Sequence, residues 1–239
     1  MGNESLSRSE RIRGGLVGLL VGDALGVPYE FKPPALIPAP AEIEFDPPAG
    51  YPRTYPGLAP GTYSDDGAQA LCLLASLLDC GVLDPEDLGR RLLDWYEKGY
   101  LAVDGHVFDV GIQTSQALRA LRAGTPALQA GPIQERANGN GSWMRVLPLA
   151  LWHQGSDEEL AADACTQSQV THGHMRSQLC CALYCLWASC RRSGTRHGYH
   201  RRDRRRHRRL ARRACRDSET LGRSPARPGI VHAPPRPPY

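Results

Sequence analysis

Ser64, Asp65 and Asp66 are three adjacent oxygen-bearing side chains in the stretch Gly61-Thr62-Tyr63-Ser64-Asp65-Asp66-Gly67. Neighbouring carboxylates repel each other, so a fold that gathers them gains by offering them a cation. One hydroxyl and two carboxylates present only oxygen, the donor that a hard ion such as magnesium takes. The same residues also have a plainer use. An apolar helical pattern follows them at once, and an acid or hydroxyl at a helix start serves the exposed backbone N–H groups and the positive dipole end.

Other residues could add chemistry to this group. Asp23 and Glu30 lie on and just after the first helical pattern, in Gly18-Leu19-Leu20-Val21-Gly22-Asp23-Ala24-Leu25-Gly26-Val27-Pro28-Tyr29-Glu30-Phe31. An acid at position 30 could place a water or protonate a leaving group; its bland alternative is a surface glutamate after a proline turn. Asp23 reads as a structural cap on a nearby backbone N–H. Asp109 is either a reactive acid or a helix N-cap. Asn138-Gly139-Asn140-Gly141-Ser142 is a loop whose glycines let backbone N–H groups turn towards an anion, and a helical pattern follows it. Met144 and Arg145 would open that helix, with Arg145 either contacting phosphate or bracing the loop. His172, in Thr171-His172-Gly173-His174, is a ligand contact or a packing residue.

The elements that must position these groups read as helices. Ile12, Leu16, Leu19 and Leu20 recur at helical spacing up to Ala24. Residues 32–60 are rich in proline and predict a long loop. A helix from Asp65 to Gly81 would bury Ala68, Leu71, Cys72, Ala75 and Leu78. Asp84-Pro85-Glu86 starts the next, with Leu88, Leu92, Trp95 and Tyr96 on its apolar face. Further helices are expected over 109–123, 144–151, after the capping box of Ser156 and Glu159, and over 174–190. No sustained period-2 alternation appears, so the fold class is all-α.

Charge divides the chain. Residues 191–239 hold 16 Arg, no Lys and 3 acids, a balance of +13, against 13 bases and 22 acids before them, a balance of −9. The expectation is one helical domain over 1–190 and an Arg- and Pro-rich disordered tail over 191–239. The abrupt change of composition raises the expectation that this tail is an out-of-frame reading. As an electrostatic arm it would suit nucleic acid. Eight cysteines, four of them crowded at 180, 181, 185 and 190 without a C-x-x-C pair, read as reduced thiols of a cytoplasmic protein rather than as disulfides or a zinc site. No run of eighteen apolar residues predicts a membrane span.

The four segments around Asp23–Glu30, Ser64–Asp66, Asn138–Arg145 and Thr171–His174 together resemble the ADP-ribosylglycohydrolase family, which includes the dinitrogen-reductase-activating glycohydrolases. The resemblance covers about residues 10–190. It implies an orthogonal multi-helix bundle with a binuclear magnesium centre that cleaves the bond between ADP-ribose and an acceptor, either an ADP-ribosylated protein or another ADP-ribose derivative. By position, it implies Ser64, Asp65 and Asp66 as metal ligands, with Ser64 standing where the family has Thr. It implies Glu30 and Asp109 as catalytic acids. Asn138, Gly139, Asn140, Gly141, Ser142, Met144, Arg145 and His172 would contact substrate.

The chain departs from the family pattern in one respect. The late D-x-D-T segment that completes the metal site is not found. Asp217-Ser218-Glu219-Thr220 imitates its spacing, but Gly222, Pro225 and Pro228 follow, and no amphipathic helix is expected there. Magnesium needs about six oxygen positions, so weak or partial occupancy and impaired hydrolysis are expected. A catalytically dead ADP-ribose-binding relative and a nucleic-acid binder acting through its tail stay open beside the hydrolase.

Overall fold

The computed structural model describes residues 6–192 and 201–222. Among these residues there are nine α-helices and no strand. They are α1 (Arg8–Gly26), α2 (Asp65–Cys80), α3 (Pro85–Lys98), α4 (Ile112–Arg122), α5 (Ala127–Ala130), α6 (Leu147–Trp152), α7 (Asp157–Gln169), α8 (Met175–Arg192) and α9 (Arg201–Gly222). The all-α expectation holds.

Local chemistry sets most of the helix ends. Ser7 and Glu10 form a capping box on α1, and Ser156 and Glu159 form the expected one on α7. Asp84 accepts the N–H groups of Glu86 and Asp87, with Pro85 in the first turn of α3. Gly81 ends α2 in the left-handed region, which costs glycine little.

The core lies where α2, α3, α6, α7 and α8 meet. Leu73 and Leu77 of α2 pack with Leu88, Leu92 and Trp95 of α3, Leu149 of α6, Leu160 of α7 and Leu186 of α8. Each such side chain contributes about 1.5–3 kcal/mol when taken from water. The buried stripe of α2 is Ala68, Cys72, Leu73 and Leu77, one step round from the expected set; Leu78 is 63% exposed. Two adjacent apolar stripes were compatible with the sequence, and packing against α3 selects one.

Four further expectations are corrected. Residues 141–145 form turns, and the helix expected from Met144 begins only at Leu147. The helix expected from Asp109 begins at Ile112, behind an N-cap at Gly111. Residues 201–222 are helical rather than a disordered arm. His207, Ala211, Ala214 and Cys215 are buried against α7 and α8, and Cys165 of α7 and Cys215 form a disulfide where reduced thiols were expected. Small residues and one histidine make the inner face, so no strong apolar period shows among the arginines. The other expectations for residues 193–200 and 223–239 lie outside the described residues. Among the described residues no helix is long and apolar enough to cross a membrane.

Candidate active site

Asp23 stands in the last turns of α1 and reaches across to the start of α2. Its Oδ2 accepts the backbone N–H of Ser64 at 2.9 Å and of Gly67 at 2.7 Å, and its Oδ1 accepts the Ser64 hydroxyl at 2.7 Å. A Cβ at position 67 would sit 2.9 Å from Asp23 Oδ2 and 2.8 Å from the Tyr63 ring. Glycine there is what lets the carboxylate come down onto the helix end. Ser64 in turn caps α2 through the Asp66 N–H. The capping role and the proposed ligand role therefore fall on the same hydroxyl.

This clamp turns the acids towards one another. Asp65 is buried, and its Oδ2 accepts a hydrogen bond from Gln69 Nε2 at 3.2 Å. Burial, and then the charges of Asp66, Asp109, Asp23 and Glu30, push its carboxyl up to about 9. Burial followed by Asp23 and Asp109 raises Asp66 to about 6. Glu30 rises to about 8, through burial first and then the charges of Asp109, Asp23 and Asp66. Asp23 is raised by burial, which its three hydrogen bonds offset in part. The mutual perturbation places Glu30, Asp65, Asp66 and Asp109 in one electrostatic group, as the motifs imply.

The proline-rich loop holds the Glu30 segment in place. The Thr54 hydroxyl donates to the Glu30 carbonyl, Thr54 N–H donates to Pro28 O at 3.3 Å, and the Tyr29 hydroxyl bridges both backbone groups of Glu44 at 3.1 Å. Phe31, next to Glu30 in the chain, and Asp109 both adopt left-handed φ values, of 58° and 54°, as do Leu101 and Asp104. Side chains rarely accept that conformation, and it gathers at functional sites. Asp109 is thus not a helix N-cap: it precedes Gly111 and faces Glu30. Tyr55 also joins the group. Its ring meets Phe108 edge-on at 4.9 Å, and burial and then Asp109 push its phenol above the ordinary range.

The glycine loop is built on packing. A Cβ at Gly141 would meet His172 Cε1 at 2.8 Å and Thr114 Oγ1 at 2.9 Å. His172 is 1% exposed, bonded through Nδ1 to the Thr171 hydroxyl at 2.9 Å, and held neutral as burial and then Arg145 drive it down to about 3. Gly139 and Asn140 are exposed on the loop's outer side. The Asn140 carbonyl accepts the N–H groups of Trp143 (2.7 Å) and Met144 (3.0 Å). Those two donors are spent within the loop, and no long helix supplies a dipole behind it. Asn138 is tied to Glu135 O and to the Ser177 hydroxyl.

Two expected contact residues turn inward. Ser142 is fully buried and shares its hydroxyl with Ser168 at 2.8 Å. Arg145 is 0% exposed. It donates to Gln69 Oε1 at 3.0 Å, Gly141 O at 3.3 Å, Gln167 Oε1 at 3.2 Å and Gln167 O at 2.9 Å. It braces the loop from within. Through Gln69 this brace runs on to Asp65, so the loop and the acids are one hydrogen-bonded unit. Gln69, Gln113, Thr114 and Tyr55 were not singled out by sequence reading. Only Gln69 carried a signal, as a polar side chain four residues after Asp65 on a helix of apolar residues.

The donor set suits magnesium in kind. Every candidate ligand atom is oxygen, and Glu30 Oε2 is buried without a hydrogen-bond partner. It does not close a cage: among the described residues no three His, Cys, Asp or Glu side chains are placed to hold a metal ion together. Asp217, in the imitation of the missing segment, pairs instead with Arg213 of its own helix at 3.9 Å.

With this geometry in view, comparison with known proteins decides the family. The sequence model of the ADP-ribosylglycohydrolase family matches residues 4–224. The chain belongs to the ADP-ribosylglycohydrolase family. It is 34% identical over 175 residues to ADP-ribosylarginine hydrolase Tri1 of Pseudomonas putida, a match covering 73% of this chain and 44% of that protein. It is 31% identical over 178 residues to the ADP-ribosyl-(dinitrogen reductase) glycohydrolase of Rhodospirillum rubrum, covering 72% and 54%. A solved structure titled ADP-ribosylglycohydrolase-related protein complex superposes with a TM-score of 0.58 at 30% identity, over 78% of this chain and 57% of that one. The chain spans about half the length of the curated relatives it matches.

Proposed function

We propose that this glycohydrolase-family chain binds ADP-ribose joined to an acceptor and cleaves the glycosidic bond at the anomeric carbon, with ADP-ribosylated arginine in a protein as the substrate class. The observation that carries the reading is the gathering of Glu30, Asp65, Asp66 and Asp109 from three separate segments into one group, Asp65 buried and the others half-buried, whose raised carboxyls answer to one another's charges and to that of Asp23. A structural role alone would not favour crowding four acids together in a partly desolvated setting.

In this reading the loop Gly139–Gly141, tied to Arg145, receives the pyrophosphate, and His172 supports the loop from beneath. Binding there fixes the ribose over the acids and lowers the cost of orientation. Glu30, neutral up to about pH 8, gives its proton to the leaving atom as that atom takes the bonding pair from the anomeric carbon. Positive charge then develops on the ring, and the neighbouring carboxylates stabilise it. Water adds to the anomeric carbon, and Asp109 takes the water's proton. Ser64, Asp65 and Asp66 would hold magnesium, which supplies positive charge to the acids and polarises ribose hydroxyls and water. With no closed ligand set, weak or partial occupancy and slow turnover are the proposal for this chain.

Calorimetric titration of ADP-ribose with and without magnesium, combined with measured release of ADP-ribose from an arginine-modified protein, tests this. The expected result is binding that strengthens with magnesium and a slow release that Asp66→Asn removes. Binding with no release at all would favour a non-catalytic ADP-ribose receptor. No binding under either condition would falsify the reading.

A further inference from the structure

Five arginines of α9, Arg205, Arg208, Arg209, Arg212 and Arg216, are exposed. At 100° per residue they fall within one stripe about 100° wide along a span of roughly 16 Å. His207 and Ala214 lie opposite the stripe and Ala211 and Cys215 on its flank, and all four are buried against α7 and α8. The disulfide from Cys165 to Cys215 fixes α9 to the body covalently. The basic segment is therefore a rigid rod with its charges ranked outward, rather than a loose arm.

Among the described side chains, no acid pairs with Arg205, Arg208, Arg209 or Arg212. Asp157 of α7 lies 3.3 Å from Arg206, and Asp217 lies 3.9 Å from Arg213; both arginines flank the stripe. Arg205, Arg206 and Arg209 line a shallow concavity whose floor is the half-buried Leu210. Arg216 Nε donates to the Arg212 carbonyl at 3.3 Å, and this holds it along the helix.

We infer that the exposed arginine stripe of α9 is a docking surface for the phosphodiester backbone of nucleic acid. Guanidinium groups offer paired donors that match phosphate oxygens, and a stripe repeating about every 6 Å meets a backbone of evenly spaced anions. A lipid surface fits less well. An interfacial helix must bury an apolar face in the bilayer, and the apolar face of α9 is already consumed by α7 and α8. An acidic protein fits less well too, because protein interfaces are centred on apolar or aromatic anchors, and no exposed apolar side chain accompanies the arginines among the described residues of α9. The inference uses no residue of the acidic group and stands apart from the hydrolase reading.

The test is fluorescence anisotropy of a labelled 20-base-pair DNA duplex with the full chain, across sodium chloride from 50 to 200 mM. Four to five phosphate contacts give a slope of log affinity against log salt of about −4, so affinity falls on the order of 100-fold across this range. The triple variant Arg205→Glu, Arg209→Glu, Arg212→Glu is expected to lose measurable binding while keeping its helical circular dichroism. Should that variant fail to fold, Arg209→Gln alone reduces the slope by about 0.9. No duplex binding at 50 mM salt, unchanged slopes in the variants, or binding to phosphatidylserine vesicles in preference to DNA would each overturn the inference.

Discussion

The carboxylate of Asp23 receives both the backbone N–H and the hydroxyl of Ser64, at 2.9 and 2.7 Å, and so joins the end of α1 to the start of α2 across 41 residues of sequence. The Gly67 N–H completes the clamp. One side chain thus fixes where Asp65 and Asp66 point. Asp23→Asn keeps the shape but turns one acceptor oxygen into a donor facing N–H or O–H groups. The expected cost is about 1–3 kcal/mol, read as a lowered midpoint in urea unfolding. Asp23→Ser should cost at least as much, since it removes all three bonds. An unchanged midpoint in both variants would show that the clamp contributes nothing to the folded state.

The acids give stability a pH dependence of known sign. Raised carboxyls bind protons more readily folded than unfolded, so ionising them opposes folding. For Glu30, Asp65 and Asp66, stability falls as pH rises from the ordinary carboxylate range, about 4, through about 6, 8 and 9. His172 acts in the other direction. Held down to about 3, it favours the folded state above its ordinary value of about 6.5 and withdraws that contribution as pH falls. Asp65→Asn is therefore expected to raise the thermal midpoint at pH 8.5 and to flatten the decline between pH 6 and 9. Magnesium at millimolar concentration should raise the wild-type midpoint at pH 8.5 more than at pH 5.5. Melting curves across pH, with and without magnesium, check both statements. A midpoint of the variant below wild type at pH 8.5 would contradict the first.

Arg145 is a fully buried cation whose bonds go to amides and carbonyls rather than to a facing carboxylate. Burial lowers it to about 10, which still leaves it charged at neutral pH. Arg145→Met removes a costly buried charge but strands Gln69, Gln167 and the Gly141 carbonyl. The stranded groups decide the sign: destabilisation of about 2–4 kcal/mol is expected. The glycine loop should loosen as well, so ADP-ribose affinity should fall further than the loss of fold accounts for. Chemical unfolding and calorimetry separate the two effects.

Much of this arrangement is legible in the sequence. Helix starts at Asp65, Pro85 and Asp157 follow from local capping chemistry, which acts over three or four residues. The pairing of Glu30, Asp65 and Asp66 with Asp109 was implied by the family resemblance, and their electrostatic coupling agrees with it. Contact roles were less legible. Ser142 and Arg145 look identical in sequence whether they face a phosphate or the core, because the choice depends on what packs beneath the loop. Tyr55 gave no signal inside a proline-rich loop, since its place beside Asp109 is set by a fold-back held at Thr54 and Tyr29.

The sequence by itself determined the helical class, most helix ends, the segregation of charge and the family, because each rests on short-range spacing or on an ordered set of motifs. The tertiary structure alone decided that α2 buries Leu73 and Leu77 in place of Leu78, that residues 201–222 form a helix sealed onto α7 and α8, and that Arg145 braces the loop. Each of these turns on which of two chemically acceptable faces meets a partner distant in the chain. That selection is made by packing and by the satisfaction of buried polar groups, neither of which leaves a local mark in the order of the residues.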